Sequence, residues 1–204
     1  MRELLLENNP DAVIIGEECD ILATHAVDMW MSWRISSPAE APHIAMTRYS
    51  IPDTMLSWVV DSDPARAAWA FAMGMYLCLM VHGGEGTLED EPELARLVGA
   101  LAALRRTTAD RTVLARFNDT RGFEVDSAEG LVAHSFDSPD GPAVIVAAPG
   151  AHAGGRLRVD RSAFAAPGDP QGGVLPWLAG SSQPGTGDSQ EFSLSANEVA
   201  VWVL

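Results

Sequence analysis

The stretch Ala12-Val13-Ile14-Ile15 constrains the fold more than any other part of the chain. It is a short run rich in β-branched residues between Pro10 and Gly16, the pattern of a strand buried on both faces of a parallel sheet. Asn8-Asn9-Pro10 supplies the turn into it, after a short helical pattern at Leu4-Leu5-Leu6. His43-Ile44-Ala45-Met46 reads as a second strand, preceded by Pro38 and Pro42. Helix, strand, connection, strand is α/β order and predicts a parallel sheet. Two parallel strands need cover on both faces and neighbours on their edges. The missing cover is therefore expected from a preceding part of a larger protein or from a second copy of the chain.

A helical zone follows. Asp61-Ser62-Asp63 offers N-caps and Pro64 suits a first turn. Trp69, Phe71, Met73, Met75, Tyr76, Leu77, Leu79 and Met80 then predict one helix, apolar nearly all round, ending at Gly83-Gly84. The apolar stretch 67–81 is shorter than the roughly 20 residues a membrane span needs and reads as a core helix. A second helix opens near Asp90 and Pro92, with Leu94, Leu97, Val98, Leu101 and Leu104 on one face and Arg105-Arg106 at its basic end. Beyond Thr112 the short runs 113–117, 130–136, 143–148, 156–159 and 198–204, separated by turns, predict an antiparallel β-sandwich. Gly, Pro and Ser dominate 167–187, which reads as a long irregular loop. The expected division is an α/β part over 1–111 and an all-β part over 112–204.

Composition narrows the partners. The chain has 13 Lys+Arg against 28 Asp+Glu, a formal charge of −15. Nucleic acid and anionic membrane surfaces both need a basic patch, so neither is an expected partner. Cys19 and Cys78 lie in apolar runs, where a free thiol behaves as a small hydrophobe. The first residues are too acidic, and their apolar part too short, for a signal peptide, so a reducing, cytoplasmic setting is expected.

The residues that could carry chemistry follow the predicted strands. Gly16-Glu17-Glu18-Cys19-Asp20 comes directly after the first, and α/β sheets bind ligands beyond the carboxyl ends of their strands. Glu17, Glu18 and Asp20 are thus candidates for acid/base or nucleophilic work; they also read as a solvated acidic turn. Arg48, Tyr49 and Asp53 follow the second strand, where Arg48 would approach the same rim or form an ordinary loop ion pair. Trp30 and Trp33 beside Asp28 have the composition of a sugar-stacking platform, though the same spacing suits packing of a helix. His25 has no second ligand at metal-binding spacing. His82-Gly83-Gly84-Glu85-Gly86 lacks the Lys-Ser/Thr of a phosphate loop and reads as a helix end. No metal or cofactor is expected.

The strand Pro10-Asp11-Ala12-Val13-Ile14-Ile15-Gly16-Glu17 and the segment Arg48-Tyr49-Ser50-Ile51-Pro52 resemble the late strands of a glycoside hydrolase (β/α)8 barrel. Ala70-Phe71-Ala72-Met73-Gly74, Leu88-Glu89-Asp90-Glu91-Pro92 and Leu101-Ala102-Ala103-Leu104-Arg105 are similar to its closing helices. Ala115-Arg116-Phe117-Asn118-Asp119 then leads into a β domain, as in clan-D-like and amylase-like glycosidases. The resemblance implies hydrolysis of O-glycosidic bonds by two carboxylates, either about 5–5.5 Å or about 6.5–9.5 Å apart. It implies Glu17 as one of the pair, with Glu18 and Asp20 as substitutes, a partner on an earlier strand, and a carbohydrate substrate. The isolated chain would then lack part of its active site. The alternative is a non-catalytic module whose β part binds sugar or protein.

Overall fold

The structure, a computed structural model, describes residues 2–17, 27–32, 41–52, 54–113, 115–127, 129–165, 174–176 and 189–204. Strands β1 (Ile15–Glu17), β2 (Met29–Ser32), β3 (Met55–Val60) and β4 (Tyr76–Leu79) form a parallel sheet in the order β1-β2-β3-β4. Helix α1 (Arg2–Asn8) precedes β1, α2 (Ala41–Ser50) joins β2 to β3, α3 (Pro64–Ala72) joins β3 to β4, and α4 (Pro92–Thr112) follows β4. The second half is all β. Strands β5 (Arg116–Asp119), β7 (Val132–Asp137), β8 (Ala143–Ala147), β12 (Val199–Val203) and β10 (Val174–Pro176) make one antiparallel sheet. Strands β6 (Phe123–Ser127), β9 (Ala153–Val159) and β11 (Ser189–Leu194) make a second. The fold is therefore α/β plus all-β, as the composition of the two halves predicts.

Two cores explain the layering. Strand side chains alternate between faces, and Leu56, Trp58 and Val60 of β3 point into one core with α3 and α4, where Trp58 meets Trp69 edge-on at 4.5 Å. The same core takes Ala143, Ile145 and Ala147 of β8. The helices thus lie between the parallel sheet and the five-stranded sheet. Val144 and Val146, the alternate residues of β8, join Leu157, Phe192 and Trp202 in a second core between the two antiparallel sheets. Because α3 is covered on several sides, it is apolar all round, and its alanines let both layers approach closely: every residue from Ala67 to Ala72 is buried. Asp63 opens α3, its carboxylate accepting from the Ala65 and Arg66 amides.

Several expectations are corrected. Residues 43–46 are not a strand but lie within α2, whose buried side chains, among those described, are Ile44 and Arg48, one turn apart. The second strand of the sheet is instead β2, so Trp30 sits on a strand rather than a helix. The apolar stretch 67–81 is not one helix: α3 ends at Ala72 and β4 begins at Tyr76. Gly74 makes the break, with φ +72 and with the Gly74 and Met75 amides donating to the Phe71 and Ala70 carbonyls, a Schellman ending. Strands β3, β6, β10 and β11 fall where no strand is expected from the sequence, β10 within the stretch 167–187 that reads as an irregular loop. The strand before Glu17 is not buried on both faces: Val13 is 60% and Ile15 54% exposed. Strand β1 is an edge strand, and among the described residues the helices cover one face of the parallel sheet only.

Gly74 yields a prediction. A Cβ added there would lie 2.6 Å from Phe136 Cε1 and 2.9 Å from the Thr112 carbonyl oxygen, in a backbone conformation L-residues disfavour. Gly74→Ala is expected to cost about 2–4 kcal/mol. A urea unfolding midpoint equal to that of the parent would contradict this packing.

Candidate active-site rim

The carboxyl ends of the parallel strands define one rim of the molecule. Glu17 ends β1 and is exposed. Gly16 pins this strand, since a side chain there would collide with the Trp30 ring; Trp30 packs against the bare backbone, and Glu17, one residue on, points to the opposite face. By register Glu17 is level with Met31 and Ser57. Asp61 follows β3 four residues beyond Ser57. At about 4.8 Å per strand spacing and about 3.3 Å per residue, the two backbones are about 16 Å apart. Glu17 and Asp61 thus both stand at the carboxyl ends of parallel strands.

The loops after β3 and β4 are tied together at this rim. The Met80 amide donates to the Val60 carbonyl at 3.0 Å and the His82 amide to Ser62 Oγ at 3.3 Å. His82 Nε2 lies 3.3 Å from Glu91 Oε1, and His82 itself has φ +49. Asp90 accepts from the Thr87 amide and hydroxyl, which holds its carboxyl below the usual range. Asp61, Ser62 and His82 are thus rim residues that the sequence reading takes only for caps and a loop.

The other candidates separate. Glu18, Asp20, Trp33 and Asp53, with Cys19 and His25, lie outside the described residues. Asp28 stands at the amino end of β2, where its Oδ2 accepts from the Ile14 amide at 2.9 Å, so it ties β1 to β2 at the end opposite the rim. Trp30 is 4% exposed and faces the helices; it is packing, not an open sugar platform. Arg48 and Tyr49 lie on α2 against the five-stranded sheet, not at the end of a strand: the Arg48 guanidinium is 5.6 Å from the Phe117 ring centroid, and the Tyr49 ring meets Phe117 edge-on. The β part also holds a pair that the sequence does not reveal, His134 Nδ1 and Asp119 Oδ1 at 2.9 Å. It forms where β5 shifts register and Asp119 takes φ +55.

The open face of the sheet carries Ile15, Met29, Met31, Met55 and Val59, the alternates of the core residues. Cys78 joins it, its thiol donating to Met31 Sδ at 3.5 Å, and burial pushes that thiol up. Among the described residues no group of three or more His, Cys, Asp or Glu could hold a metal ion. None of the described helices is long and apolar enough to cross a membrane.

No protein-family model and no curated protein matches the sequence. The fold does match solved structures. An α-amylase from Anoxybacillus aligns over 100% of this chain and 54% of its own, at TM-score 0.58 and 14% identity. The α-amylase of Geobacillus thermoleovorans, solved with acarbose, aligns over 98% of this chain and 55% of its own, at TM-score 0.59 and 13% identity. A GH30 endoxylanase from Clostridium papyrosolvens aligns over 96% and 57%, at TM-score 0.50 and 10% identity. The chain has a fold found in glycoside hydrolases and spans about half the length of these proteins.

Proposed function

We propose that residues 1–111 are the later part of a (β/α)8 catalytic barrel and 112–204 its β-sandwich domain. The whole is a glycoside hydrolase that cleaves O-glycosidic bonds with two carboxylates. The observation that carries this reading is the position of Glu17, exposed at the carboxyl end of a parallel strand in a fold that aligns with α-amylases along its whole length. Four parallel strands in sequential order, helix-covered on one face, are half of a closed barrel. The half-buried methionines and Val59 of the other face then become part of the barrel interior.

In this reading Glu17 is one member of the pair, as acid or as nucleophile or base. Glu18 and Asp20 follow it closely enough to substitute. Trp33, directly after the last residue of β2, is a proposed substrate contact, and Asp61 and His82 line the same rim; Asp53 precedes β3 in sequence, on the side of the sheet where Asp28 precedes β2, and is not proposed. Arg48, Tyr49, Asp28 and Trp30 drop out of the site on their positions. The second carboxylate of the pair comes from strands preceding this chain, so the 204 residues alone are expected to be inactive.

The test is a panel of polysaccharides, α-glucans and xylans first, incubated with the full-length protein that contains this chain. Release of reducing ends from at least one substrate is expected. No release from any of them overturns the proposal and leaves the binding-module alternative.

A further inference from the structure

Arg48 is 2% exposed, and none of its guanidinium nitrogens has a hydrogen-bond partner among the described residues. The rings of Phe117 and Phe136 lie 5.6 and 5.9 Å away. Such cation–π contacts are individually weak. Burying an unpaired charge costs more than two of them return. The rings alone therefore do not offset the burial, which pushes Arg48 down to about 10. Arg105, the other deeply buried arginine, has three hydrogen bonds, so an orphaned guanidinium is not a general habit of this core.

Arg48 also lines a cavity of about 420 Å³ at the junction of α2 with β5 and β7, together with Tyr49, Arg116, Phe117 and Asp137. Its charged lining is Arg48, Arg116 and Asp137, the last two paired across β5 and β7. Burial and then Asp119 push the Tyr49 hydroxyl up, with Arg121 and Arg116 acting against them. The two carboxylates are already engaged, Asp119 with His134 and Asp137 with the Ala165 amide at 2.9 Å. In a chain of formal charge −15, two arginines thus line one cavity, and the donors of Arg48 are unused among the described residues. A guanidinium presents its donors as a planar fork that matches oxyanions.

We propose that this cavity binds a small oxyanion, a carboxylate or a phosphate group, with Arg48 as its buried anchor and Arg116 at its mouth. The site is separate from the carboxyl rim, and the sugar chemistry proposed there is not needed for it.

The test is thermal unfolding of the full chain with inorganic phosphate or glucuronate, each against sodium chloride of equal ionic strength. A saturable rise in Tm of about 5 °C is expected from one of the two anions, and which one identifies the ligand chemistry. Arg48→Met is expected to abolish the rise while melting, without anion, no lower than the parent, because an uncompensated charge is gone. The exposed Arg116→Gln, which does not disturb the core, is expected to weaken the rise at least fivefold in half-saturating concentration. No rise with either anion, a rise matched by sodium chloride, or an undiminished rise in both variants would each overturn the proposal.

Discussion

Replacing Arg105 with alanine is expected to destabilise the protein by about 3–5 kcal/mol, lowering Tm by about 10 °C in a chain of this size. Arg105 reaches from α4 to the end of α3. One terminal nitrogen donates to Thr112 Oγ1 at 3.0 Å, and the other to the carbonyls of Phe71 and Met75, both at 3.1 Å. The guanidinium also lies over the Phe71 ring, 3.9 Å from its centroid. Truncation removes a donor from the Met75 carbonyl and one from the Phe71 carbonyl, which keeps the Gly74 amide, and leaves a hole in the main core. Opposing this, burial holds Arg105 well below its ordinary value, to about 9, so the charge itself is a cost and the hydrogen bonds are the gain. Arg105→Met should therefore lose less than Arg105→Ala, because it fills the space and buries no charge. Arg105→Lys should recover little, since an ammonium cannot span both carbonyls and the threonine as the fork does. Parent-like melting of the alanine variant would show that the clamp contributes nothing.

That clamp is invisible in the sequence, where Arg105-Arg106 reads as the basic end of a helix. In fact α4 runs on to Thr112, and Arg105 is buried while Arg106 is exposed. What is legible is the stripe Leu94, Leu97, Leu101 and Leu104, all buried, because a one-sided helix writes its environment at a period of 3.6 residues. Helix α2 has no such stripe. Among the described residues its buried side joins one isoleucine to one arginine, while Met46 is 59% exposed, so the local run His43-Ile44-Ala45-Met46 passes for a strand. Strand β3 had a usable signal, six apolar or small residues between Pro52 and Asp61. Strands β6 and β11 are harder to see, because each has one wet face and carries acids such as Glu124, Asp126 and Glu191 within it. A continuous apolar run such as 67–81 does not separate helix from strand by periodicity; Gly74 was the only mark of the break.

The candidate site was legible in part, for a related reason. Glu17 follows a β-branched run and a glycine, so its place at a strand end can be read locally. The positions of Arg48, Tyr49 and Asp28 depend on which strands are neighbours, and misplacing one strand carries its loop with it. Asp61 and His82 come to one rim only through the parallel order of β3 and β4, a non-local fact.

The most direct test of the proposed carboxylate is the turnover of Glu17→Gln beside Glu18→Gln in the full-length protein, on whichever polysaccharide it hydrolyses. Glutamine keeps the shape but neither donates a proton as a carboxylic acid does nor attacks as a carboxylate. The account predicts a fall in kcat of about a thousandfold or more for Glu17→Gln, with unchanged melting, since Glu17 is exposed and the edge strand is held by Gly16 against Trp30. Glu18→Gln should have a smaller effect. Parent-like kcat in both variants would contradict the account.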